Sequence, residues 1–124
     1  MLTTDRDVLK KELISKLEGF IGTECYYKVG LGRLKMTDGV KYLCDKAKCY
    51  WLVDLVASYQ PKLRNYPFQV WNIKVDEKQK AIVTCREDIG QPEIVKQKIS
   101  YTDFLLDDFE FYCIDDVILL KSEY

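Results

Sequence analysis

Residues 37–60, TDGVKYLCDKAKCYWLVDLVASYQ, hold the densest apolar pattern in the chain. Val40, Leu43, Cys44 and Ala47 fall at i, i+3, i+4 and i+7, the spacing of one helical stripe, and Thr37 or Asp38 can cap its start. Carried past Ala47, the stripe would put Trp51, Asp54, Leu55 and Ser58 inside, a poor set. Restarted at Leu52, it takes Leu52, Leu55, Val56 and Tyr59. The pattern therefore predicts a break near Lys48 and Cys49. A second helix follows from Tyr50 to Tyr59, apolar nearly all round and so central, and Pro61 ends it.

The flanking sequence reads as material packed on this pair. Residues 4–18 predict an amphipathic helix with Thr4 and Asp7 spaced as a capping box, Leu9, Leu13, Ile14 and Leu17 buried, and Arg6, Lys10, Lys11 and Lys16 turned away. Residues 25–29 and 33–36 predict a short hairpin turning at Gly30-Leu31-Gly32. Beyond a linker at 62–67, strands are expected near 69–75, 81–87 and 94–101, with Trp71, Ile73 and Val75 sharing one face and Val95, Ile99 and Tyr101 opposing Lys96, Lys98 and Ser100. Residues 102–108 read as a loop anchored at Phe104 to Leu106. A last hairpin, 109–114 and 117–120, turns at Asp115-Asp116. Connections too brief for crossover helices predict antiparallel pairing. The whole is one α+β domain over residues 1–124: N-terminal helix, short hairpin, central two-helix segment, antiparallel meander.

A chain of 124 residues, 48% apolar, suffices for one core. Its net charge of −1 argues against a generic polyanion binder. The charge is uneven, with 12 Lys or Arg against 8 Asp or Glu in residues 1–66 and 7 against 12 in residues 67–124. Five cysteines in segments that read as core, an odd number without framework spacing, point to a reducing compartment. No signal-peptide run or long apolar segment is visible, so a cytoplasmic location and no membrane partner are expected.

Chemistry is sparse. Without histidine a cysteine nucleophile lacks its usual base, and Cys44 and Cys49, separated by four residues, do not make a zinc motif. Seven acids between residues 103 and 123, including Asp107, Asp108, Asp115 and Asp116, could hold magnesium or form a catalytic pair; solvated turns are the plainer reading, because aspartate favours turns for backbone reasons. On the first hairpin Tyr26, Tyr27, Arg33 and Lys35 interleave aromatic and basic groups as a nucleic-acid strand would need. A half-buried hairpin with solvated lysines is the simpler account, since no ribonucleoprotein-type motif accompanies it. The acids beside Phe109, Tyr112 and Tyr124 form a third possibility, a rim that docks on a basic groove of a nucleic-acid-handling protein. No catalytic residue, metal or cofactor is expected.

The words TDGVKYL, YWLVDLVASYQ, FQVW, IVTCRE, YTDFLLDD and VILLKSEY, in that order, resemble a family of small uncharacterised proteins of bacteria, phages and mobile elements. Lys121 stands where that family's pattern has proline, and Cys49 where it has a small residue. The resemblance implies a stand-alone cytoplasmic domain and transfers no catalytic residue. Its mobile-element setting implies a small protein that binds and inhibits a host macromolecule, of which inhibitors of CRISPR nucleases are one kind. The competing expectation is a pocket for a nucleotide-like ligand built from Trp51, Trp71 or Tyr42 with a convergent Arg or Lys.

Overall fold

The computed structural model describes residues 3–30 and 32–124, with side chains from residue 6 onward. Helix α1 (Thr3–Glu18) leads to strands β1 (Tyr27–Lys28) and β2 (Lys35–Met36), then helices α2 (Asp38–Ala47) and α3 (Tyr50–Tyr59). Five strands follow: β3 (Phe68–Val75), β4 (Ala81–Arg86), β5 (Glu93–Ile99), β6 (Asp108–Ile114) and β7 (Val117–Leu120). Short 3₁₀ turns close α3 at Gln60–Lys62 and follow β7 at Lys121–Glu123. The α+β class and the element order are those the pattern predicts. Among the described residues no helix is long and apolar enough to cross a membrane.

The central pair breaks where the stripe changes register. Thr37 Oγ1 caps α2 by accepting from the Val40 amide, and Lys48 ends it in the left-handed conformation (φ 54°). Pro61 sits in the first turn of the 3₁₀ segment after α3, where its missing N–H costs nothing. Val40, Leu43, Cys44, Leu52 and Val56 are buried against Trp71, Ile73, Val83, Cys85, Phe111 and Ile118 on one face of the sheet.

The sheet order is β1-β2-β7-β6-β3-β4-β5. Two features depart from a plain antiparallel meander. First, β6 pairs with β3 rather than β5, so residues 100–107 cross the end of the β3–β4 pair, seated by Phe104 and Leu106, which are buried. Second, β2 runs parallel to β7, with Lys35 opposite Val117. Brief connections ruled out parallel neighbours only between consecutive strands; here everything from α2 to β6 is the crossover.

Helix α1 needs correction. Leu13 and Leu17 are buried, but Leu9 and Ile14 are 53% and 46% exposed. The line that packs is Arg6, Lys10, Leu13 and Leu17, with Leu9 and Ile14 on its flanks. Arg6 and Lys10 therefore do not turn away: both are half-buried, Arg6 donates to the Phe104 carbonyl (3.0 Å) and Lys10 pairs with Asp107 (2.9 Å). The Thr4 capping box lies outside the described side chains. Tyr101, expected inside, is 69% exposed because β5 ends at Ile99.

Candidate functional site

Many of the chain's most distinctive polar residues serve the fold. The Glu123 carboxylate accepts from Thr37 Oγ1 (2.6 Å), Gly39 N (3.2 Å) and Leu120 N (2.9 Å), which ties the end of the chain to the first turn of α2. A Cβ on Gly39 would lie 2.5 Å from Leu120 Cδ1 and 2.9 Å from Glu123 Oε1, so both side chains would have to shift to admit one. Gln60 and Gln69 bond amide to amide (2.9 and 3.0 Å), and Gln69 Oε1 also accepts from Trp71 Nε1 (2.9 Å). Burial without this pairing would cost several kcal/mol by order of magnitude.

What remains for function is the second face of the sheet. Alternation along the paired strands places Phe68, Val70, Asn72 and Lys74 of β3 on it, with Ile82, Thr84 and Arg86 of β4, Lys96 and Lys98 of β5, and Asp108, Glu110 and Tyr112 of β6. The helices α2 and α3 pack on the opposite face, through contacts such as Tyr59 with Trp71 and Tyr59 Oη donating to Gln97. At one end Phe68, Tyr112 and Tyr124 form a ring cluster with centroids 5.1–5.7 Å apart, and Tyr124 is 74% exposed. At the other end Lys74, Lys96 and Lys98 surround Ile82, which is 38% exposed. Between the two, Asn72 and Thr84 are buried polar side chains, and Asn72 Nδ2 donates to Asp108 (2.9 Å).

Strand β7 pairs with β6 only as far as Phe111, and α1 lies beside the rest of that edge. The groove between them holds about 860 Å³ and is lined by Lys10, Ile14 and Glu18 on one side and Asn72, Lys74, Asp108 and Glu110 on the other. Its charges are largely paired: Lys10 with Asp107, Lys121 with Glu110 (2.9 Å), and Arg86 with Glu93 (3.2 Å) nearby.

The residues singled out from sequence separate into three places. Asp107, Asp108 and Tyr112 sit on or beside the open face. Asp115 and Asp116 form the β6–β7 turn at the other end of that hairpin, both left-handed (φ 47° and 67°), so the acids do not make one rim. Arg33 and Lys35 lie on the exposed side of the first hairpin, with Tyr26 55% exposed at its start. Tyr27 instead packs beside α2, where Lys41 Nζ stands 5.7 Å from its ring, and burial together with the neighbouring Asp38 pushes its phenol up. Asp38 is held below the usual carboxylate range, first by the Glu24 amide (3.0 Å). Lys41 is raised by hydrogen bonds to Tyr50 and Asp45, and Asp45 is lowered by the hydrogen bonds it accepts from Tyr50 and Lys41.

Trp71 is fully buried and Tyr42 stacks on Phe20. Neither they nor Trp51 line the 860 Å³ groove. Among the described residues no three Cys, Asp or Glu side chains converge to hold a metal ion. Four of the five cysteines are buried; burial pushes Cys85 and Cys113 up to about 12.

The open face is only partly legible in sequence: Tyr112, Tyr124 and the acids stand out as residue types, whereas Lys74, Lys96 and Lys98 join them only through strand register. No curated protein and no solved structure matches the chain. The chain belongs to the family of unknown function DUF6876, whose model matches residues 11–124.

Proposed function

We propose that the chain is a non-enzymatic interaction protein that docks on a partner protein through the open face of its sheet. The observation that carries this reading is that one face holds both a ring cluster ending in exposed Tyr124 and, across Asn72 and Thr84, three lysines around Ile82. Such a face suits a protein interface: an aromatic anchor supplies desolvated area, and charges around it set orientation. A protein fits better than a phosphate backbone because Asp108, Glu110 and Glu93 share the surface with the lysines. In its finer form, the partner is a nucleic-acid-handling host effector, such as a CRISPR nuclease, which the chain blocks in the cytoplasm; the mobile-element resemblance supports that form.

The test is affinity capture from the native host with mass spectrometry, using the wild type and the double variant Tyr124→Ala, Lys98→Glu. A host protein retained by the first and lost by the second supports the proposal. Recovery of no host protein by the wild type, or equal retention by the wild type and the double variant, overturns it.

A further inference from the structure

The four arginines divide into two that the fold employs and two that it does not. Arg6 bonds the Phe104 carbonyl and Arg86 pairs with Glu93. Arg33, from the first hairpin, and Arg64, from the linker after α3, make no ion pair among the described residues, yet both line one cleft of about 670 Å³. The cleft lies away from the open face, between the β1–β2 hairpin and the end of α3. Its walls include Val29, Leu34 and Ala57, and Asp116 lines it as well.

We infer that this cleft binds a phosphate-bearing small molecule of nucleoside monophosphate size. Two guanidinium forks suit a dianionic phosphate, since each can donate a parallel pair of hydrogen bonds. The volume is within the range of small-ligand pockets, and apolar walls can take a flat or hydrocarbon body. Asp116 would repel a bare anion placed beside it, so it selects a ligand whose far end carries hydrogen-bond donors, such as sugar hydroxyls or a ring amine. This site stands apart from the proposed docking face, and either can fail without the other.

Isothermal titration with inorganic phosphate, a nucleoside and the matching nucleoside monophosphate tests it, on the full chain and on Arg33→Ala and Arg64→Ala. Both arginines are exposed, and unchanged circular dichroism would show that the variants fold. The expected result is that the monophosphate binds more than tenfold tighter than phosphate or nucleoside alone. Each variant should weaken it about tenfold, and Arg64→Lys should recover only part because ammonium lacks the fork. Absence of monophosphate binding at millimolar concentration, or binding unchanged in both alanine variants, overturns the inference.

Discussion

Replacing Glu123 with alanine removes one carboxylate and strands three donors at once: the Thr37 hydroxyl and the amides of Gly39 and Leu120. Hydrogen bonds to a charged group contribute about 1.5–3 kcal/mol each, but the site is partly open to water, which re-solvates some of the donors. A net loss of about 2–3 kcal/mol follows, which for a chain of this size lowers Tm by roughly 10 °C. Gly39→Ala should cost about 1–3 kcal/mol by itself, because its new Cβ meets Leu120 Cδ1 at 2.5 Å and Glu123 Oε1 at 2.9 Å. Removing the Glu123 side chain relieves part of that clash. The double variant should therefore fall short of the summed losses by about 1 kcal/mol or more. Urea unfolding of the wild type, both single variants and the double variant gives the cycle. A Glu123→Ala loss under about 0.5 kcal/mol, or strict additivity with Gly39→Ala, would refute the claim that the end of the chain and α2 are locked together.

Lys48→Gly should stabilise by about 0.5–1 kcal/mol in the same assay, because Lys48 ends α2 in the left-handed conformation at φ 54°. A thiol reagent at pH 8 should modify one cysteine in the native protein, exposed Cys25, and all five in denaturant, since burial holds Cys85 and Cys113 up to about 12. Acid should destabilise in a defined direction. Asp38, Asp45 and Asp76 all have lowered carboxyl values, so the stability they contribute is complete above the ordinary carboxylate value and is lost as pH falls through their lowered ones. Thermal melts should be nearly flat between about pH 5 and 8 and decline below about pH 4, and Asp38→Asn should reduce that decline.

The helices were readable because apolar spacing at 3.6 residues is a local signal: the change of stripe at Lys48 and Cys49 located the break, and Pro61 the end. Helix α1 shows the limit of that signal. Its apolar residues span a wider arc than its neighbours cover, and which part is buried depends on Phe104 and Asp107, roughly a hundred positions away. Strand identity was local too, but strand order was not. Nothing near Asp108 announces that β6 will pair with β3, and that pairing is what places Tyr112 beside Phe68. The candidate surface follows the same logic. Tyr112, Asp107 and Asp108 were visible as residue types, while Lys74, Lys96 and Lys98 looked like ordinary solvated lysines until the register set them around Ile82. Arg64 carries no local signal in the linker because its companion in the cleft, Arg33, lies in another element.

The central claim is that the open face of the sheet is the surface that meets a partner. Its most direct measurement is the affinity of the captured host protein for two charge-reversal variants, Lys74→Glu with Lys98→Glu on the open face and Lys35→Glu on the first hairpin, at fixed salt. We predict that the open-face variant binds at least about tenfold more weakly while the hairpin variant stays within about twofold of the wild type. The reverse pattern, with the hairpin variant weakened and the open-face variant unchanged, would contradict the account.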